Sequence, residues 1–240
     1  MPLALNTITW GDGPRSILLL HGITSNAAGW WRLGPALAEV GFTAVAADLR
    51  GHGDSPKSDD HRLDAYVEDV MALGDSWDVV LGHSVGGAVA TVASAAYQSW
   101  TGKLILEDPA IVIPDLGAAI AWLVADFDGE ITAERIAGKS PEWPREDAET
   151  KAKALLACGP EVVELAFAQN DPWDVREQVA ALAVPTTIIG ADPTGAPLIP
   201  TWFGHELATN PAVTFVQVMG SHSMHRDRWD DFWAAVTAAL

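Results

Sequence analysis

The sequence predicts an α/β fold: a mostly parallel sheet flanked by helices and interrupted by a helical insertion. Three observations predict it. From residue 1 to 108, short apolar runs alternate with segments of helical period. From Pro109 to Val184 the strand signals stop and helix signals continue alone. After Pro185 the strand signals return. The expected organisation is therefore a core of residues 1–108 and 185–240, with a helical cap over 109–184.

The elements follow in order. Leu3 to Trp10 is expected as a strand, ended by the turn Gly11-Asp12-Gly13-Pro14. Ser16 to Leu20 has the continuous apolar character of a buried strand. Trp30, Leu33 and Leu37 recur at helical spacing and stop at Gly41, a C-cap residue. Phe42 to Ala47, Asp78 to Leu81 and Lys103 to Leu106 predict strands, and Leu63 to Leu73 a helix between the first two. Ser84 to Tyr97 is apolar nearly all round, so it predicts a helix buried on the sheet. In the insertion, Leu116, Ile120, Leu123, Val124 and Phe127 form one apolar face, and three further helices are expected near 148–157, 162–167 and 175–182. A strand at 186–189, a helix at 202–208, a strand at 213–218 and a final amphipathic helix from Arg228 close the chain.

Composition narrows the function. The chain has 240 residues, 14 basic against 32 acidic, for a net charge of −18. The acidic residues are spread along the chain, so no basic patch is available for nucleic acid or an anionic membrane. Cys158 is the one cysteine, which excludes an internal disulfide; it is expected to pack as a small apolar residue. The first residues lack a cationic stretch followed by an apolar run, and no apolar run nears the roughly 20 residues that span a bilayer. A cytoplasmic protein is expected.

The segment Gly82-His83-Ser84-Val85-Gly86-Gly87 joins a predicted strand to a predicted helix. Gly-x-Ser-x-Gly in that setting is a nucleophile elbow. The turn must be sharp enough to lift Ser84 above the sheet edge, and glycines on either side remove crowding. It also brings the Val85 N–H to a helix start, where it can meet a developing oxyanion.

With these motifs the chain resembles the α/β-hydrolase fold family over nearly its whole length. His21-Gly22-Ile23 is similar to that family's oxyanion loop, which implies the Ile23 N–H as a second oxyanion donor. Asp48-Leu49-Arg50-Gly51-His52-Gly53-Asp54-Ser55 resembles a turn common in its small members and reads as scaffold, with no catalytic role for His52. A serine needs a base, and the base needs an orienting acid. The family order implies Asp192, in the loop after the strand that follows the insertion, and His222, in Gly220-Ser221-His222. Two alternatives stay open: Asp108, at the end of the strand after the elbow helix, as the acid, and His225 as the base. His222-x-x-His225 lacks an obvious third ligand, so no metal and no cofactor are expected.

Trp30, Trp122, Trp143 and Trp173 are the candidate pocket walls, with ordinary core packing as the alternative for each tryptophan of the insertion. The expected activity is hydrolysis of a small, largely apolar carboxylic ester or lactone through an acyl group on Ser84. Carbon–carbon bond hydrolysis, amide hydrolysis and a receptor without catalysis remain as alternatives.

Overall fold

The computed structural model describes residues 1–195 and 197–240. Among them lie seven strands in one sheet: β1 (Thr7–Trp10), β2 (Arg15–Leu20), β3 (Phe42–Ala47), β4 (Val79–His83), β5 (Leu104–Glu107), β6 (Thr186–Gly190) and β7 (Val213–Gln217). Their spatial order is β1-β3-β2-β4-β5-β6-β7, with β1 antiparallel to β3 and all other pairs parallel. The helices are α1 (Leu33–Glu39), α2 (Leu63–Met71), α3 (Val85–Ala96), α4 (Leu116–Val124), α5 (Ala133–Lys139), α6 (Arg145–Cys158), α7 (Pro160–Ala168), α8 (Arg176–Ala181), α9 (Thr201–Leu207), α10 (Met224–Asp227) and α11 (Trp229–Ala239).

Burial explains why these sequences form these elements. Ile17 to Leu20 of β2 and Val80 to Leu81 of β4 have no exposed surface, because helices cover both faces of the sheet. On one face Leu18, Leu20, Val80 and Leu106 pack against α3, joined by Val163 and Phe167 of α7 and Val179 of α8. On the other, Ile17, Leu19, Leu81 and Ile105 pack against Leu33 and Leu37 of α1 and Phe232 and Val236 of α11.

Two expected elements are shorter than their sequence patterns. The first strand begins at Thr7, because Leu3 N donates to Asp69 Oδ1 (2.6 Å) and Asn6 N to Ser55 Oγ (2.9 Å) outside the sheet. Trp30 lies in a 3-10 turn, Ala27–Trp30, capped by Asn26, and α1 starts three residues later.

The described residues between β5 and β6 hold α4 to α8. They do not form one separate body. Ile136 of α5 and Ala148, Ala152 and Leu155 of α6 make a small cluster of their own, while α7 and α8 join the main core. Helix α6 is tied to the core near its C-terminal end by Lys57, whose Nζ donates to Gly51 O (3.1 Å), Cys158 O (3.0 Å) and Ala157 O. A cation there also opposes the negative end of the helix dipole.

Candidate active site

Strand β4 delivers His83, and Ser84 follows at φ +51°, ψ −118°, directly before α3. That left-handed conformation is costly for a residue with a Cβ, and its neighbours make it possible. A Cβ on Gly82 would lie 2.6 Å from Gly86 O, and one on Gly86 would lie 2.4 Å from Leu20 O. The elbow thus lies against the end of β2, and a Cβ on Gly22 would come within 3.0 Å of the Ser84 Cβ. The loop carrying Ile23 therefore runs beside Ser84. Among the described residues neither the Ile23 N–H nor the Val85 N–H donates a hydrogen bond, so both are free to meet an acceptor.

His222 is the histidine brought to the elbow. Its ring lies 4.7 Å from the His83 ring, and its backbone carbonyl accepts from His83 Nε2 at 2.9 Å. Burial first, then His222 and His225, push the His83 imidazole well below the ordinary histidine range, so it is a neutral Nε2–H donor there.

The carboxylate that meets His222 is that of Asp108, not that of Asp192 as the sequence led us to expect. His222 Nδ1 lies 2.7 Å from Asp108 Oδ2, and the Asp108 side chain is wholly buried. The same carboxylate accepts from Leu198 N and Ile199 N, both at 3.0 Å. With Nδ1–H directed at Asp108, Nε2 of His222 is left as a proton acceptor. Asp192 satisfies itself locally. Its Oδ1 accepts from Thr194 N and Thr194 Oγ1, both at 2.7 Å, and these bonds hold its carboxyl below the usual range. Position in the sheet adds to this, since β5 pairs directly with the elbow strand and β6 is one strand further out.

His225 belongs to a second, fully buried network. Its N and Nδ1 donate to Glu107 Oε1 (both 2.9 Å), and its Nε2 accepts from Arg226 Nε (3.1 Å). Arg226 also donates to Ser25 Oγ (3.0 Å), lies 3.7 Å from Asp147 of α6 and stacks on Trp143 at 4.5 Å. His83, Glu107 and His225 together have the donor set of a two-histidine, one-carboxylate metal centre. They fit one poorly: both His225 nitrogens and His83 Nε2 are already hydrogen-bonded, and the Arg226 cation lies alongside.

The Asp48–Ser55 turn braces the site. Asp48 accepts from Ala27 N (2.6 Å) and Asn6 Nδ2 (2.8 Å), and Arg50 pairs with buried Asp69 (2.7 Å). His52 Nε2 accepts from Thr24 N at 3.2 Å, next to Ile23. Among the described residues, the non-glycine positions with positive φ are Thr24 (60°), Ser84 (51°) and Asp108 (35°). All three are in this site.

The tryptophans divide. Trp173 is core: its Nε1 donates to Ala110 O (2.6 Å) and its ring packs on Phe167. Trp30 is buried against His225, at 4.7 Å between rings. Trp122 is 71% exposed on α4. Of the three in the helical segment, Trp143 is the one that lies over Arg226. The sequence reading also passed over Lys151 of α6, whose Nζ donates to Thr24 Oγ1 (2.5 Å) and Thr24 O (3.1 Å).

Comparison with known proteins agrees with this architecture. Residues 17–235 match the model of the Alpha/beta hydrolase family. The chain is 41% identical to Lipase LipV of Mycobacterium tuberculosis over 106 residues, 42% of this chain and 40% of that protein. It is 26% identical to N-formylmaleamate deformylase of Pseudomonas putida over 243 residues, 95% of this chain and 89% of that protein. The solved N-formylmaleamic acid deformylase from Pseudomonas putida S16 superimposes with a TM-score of 0.83 at 28% identity, covering 97% of this chain and 95% of that one. The first curated relatives are matched over only 40% and 32% of their own length.

Proposed function

The chain belongs to the alpha/beta hydrolase family, and from that premise we propose that it is a serine hydrolase of small carboxylic esters or lactones. The observation that carries the reading is the Asp108–His222 pair, 2.7 Å apart, seated against the strained Ser84 elbow. In this mechanism Ser84 Oγ attacks the substrate carbonyl carbon and His222 Nε2 takes its proton. Asp108 holds the Nδ1–H tautomer and stabilises the imidazolium that forms. The Ile23 and Val85 N–H groups receive the developing oxyanion. The imidazolium then protonates the leaving alcohol, and a water deprotonated by His222 releases the acyl group from Ser84. Nucleophile, base and oxyanion donors all come from the chain, so the reaction needs no cofactor.

The helices between β5 and β6 act as a cap, with α6 over the oxyanion loop and Trp143 over Arg226. The substrate is a dissolved small molecule; no helix among the described residues is long and apolar enough to cross a membrane. A second reading is hydrolysis of a small N-acyl amide. It is favoured by similarity to a deformylase along nearly the whole chain.

The test is a panel of short-chain p-nitrophenyl esters, lactones and N-formyl amides, assayed with the wild type and Ser84→Ala, together with labelling by a fluorophosphonate. Turnover lost in Ser84→Ala, with the probe attached to Ser84, supports the hydrolase. Unlabelled wild type with no turnover on any class favours a receptor.

A further inference from the structure

We infer that Lys151 is a positioning residue for the oxyanion hole: from helix α6 it holds the loop that carries Ile23 in its strained turn. The inference rests on the serine-hydrolase reading and adds a cap residue to it. Thr24 is β-branched, buried and at φ +60°, a conformation such residues avoid. Positions of this kind cost about 1–3 kcal/mol each and persist only where their surroundings over-determine them.

Three contacts over-determine Thr24. His52 takes its N–H at 3.2 Å, the adjoining turn is closed by Ser25 N to Gly22 O at 3.1 Å, and Lys151 takes both its hydroxyl and its carbonyl. The first two come from the core. The third comes from the cap and carries a charge, which makes its hydrogen bonds about twice as strong as neutral ones. Rotation of the Ile23–Thr24 peptides would swing the Ile23 N–H away from Ser84, and an oxyanion donor misaimed by a fraction of an ångström loses much of its effect.

The surroundings of Lys151 fit a held cation rather than a solvated surface lysine. Its side chain is 11% exposed. It faces Asp126, 3.9 Å away after α4, with Lys139 of α5 paired to that same carboxylate. Arg226 of α10 and His21, just after β2, also act on it, with Cys158 on its own helix. Burial first, then Arg226, push the Lys151 ammonium down to about 8. The charge on the loop clamp therefore disappears a little above neutral pH, whereas burial pushes the Cys158 thiol up to about 12, outside that window.

The experiment measures the second-order rate of Ser84 phosphonylation by a fluorophosphonate and the ester kcat and KM for the wild type, Lys151→Met, Thr24→Ala and Thr24→Ser. Lys151→Met and Thr24→Ala are expected to slow phosphonylation and kcat by about tenfold to a hundredfold, less than deletion of an oxyanion donor. KM is expected to change less than threefold, and Thr24→Ser to retain most of the rate. The wild-type rate should fall above pH 8, and this limb should be absent from Lys151→Met. Thr24→Ala keeps the cation in place, so it tests the clamp if Lys151→Met does not fold. Wild-type labelling with both variants labelled at the wild-type rate overturns the Lys151 inference alone. A wild type that is not labelled at Ser84 overturns the serine-hydrolase reading, and this inference with it.

Discussion

Replacing Asp108 with Asn tests the assignment on which the mechanism turns. The substitution keeps the shape, and Asn tolerates the positive φ found at this position. What it changes is acceptor capacity and charge. Asp108 receives three donors: His222 Nδ1 and Leu198 N on Oδ2, and Ile199 N on Oδ1. An Asn with its oxygen in the Oδ2 position keeps two of these bonds and turns its NH2 on the Ile199 N–H. The reverse orientation keeps one bond and opposes two donors, so the first is favoured and His222 retains its tautomer. The remaining loss is electrostatic. A carboxylate about 4 Å from the centre of an imidazolium is worth roughly 4 kcal/mol at an effective dielectric of about 20. Neutralising it should lower kcat by about 10³, since each 1.36 kcal/mol is tenfold. Because one buried N–H is also left unpaired, the variant should lose about 1–3 kcal/mol of stability. Ester hydrolysis under saturating substrate gives kcat, and denaturant unfolding gives the stability. In parallel, Asp192→Asn should keep kcat within about threefold, since its partners are Thr194 N and Oγ1. If Asp192→Asn loses a hundredfold while Asp108→Asn stays within threefold, the reasoning from hydrogen-bond geometry is refuted.

Further outcomes are expected. Ser84→Ala should remain folded by circular dichroism yet fall to a residual rate of about 10³ over water. His222→Ala should abolish turnover. His225→Ala should instead act mainly on stability, costing about 3 kcal/mol by removing the side-chain partner of buried Glu107 while the backbone N–H at 225 still reaches Oε1, which a roughly 6–12 °C fall in Tm would reveal. Trp122→Ala, on an exposed face, should leave stability within about 0.5 kcal/mol and the rate unchanged, while Trp143→Ala should alter both, as kinetics and calorimetry would show. Finally, Lys151 binds its proton more weakly when folded, so the unfolded chain holds more protons between pH 8 and the unfolded value of about 10.4. The wild type should therefore gain stability relative to Lys151→Met as pH rises through that window, read by urea unfolding across pH.

The parts of the site that were legible in the sequence are those set by local rules. A strand, a sharp turn relieved by glycines and a helix must be consecutive, so Ser84 and the free N–H of Val85 could be read directly. The choice between Asp108 and Asp192 depends on which strand end lies under a loop more than 100 residues away in one case and 30 in the other, and chain order carries no such information. One local signal did point away from Asp192: Thr194, two residues on, offers the N–H and hydroxyl that Asp turns use. Lys151 was invisible because Thr150-Lys151-Ala152-Lys153 reads as a polar helix surface, and only the packing of α6 over Thr24 removes one of those two lysines from water. Tryptophan identity was equally silent, since Trp122 and Trp173 lie in the same insertion and end up outside and inside.

The three left-handed residues, Thr24, Ser84 and Asp108, have a consequence for evolution under heat. Each holds roughly 1–3 kcal/mol of backbone strain, and glycine would release it at an entropic cost of about 0.5–1 kcal/mol. At Thr24 and Asp108 glycine would also remove side-chain hydrogen bonds, but the Ser84 side chain does not cap α3, so a library selected for thermal survival alone would be rewarded for inserting glycine there, and that winner would be inert. Selection must apply heat and turnover together, or it will erase the site while improving the fold.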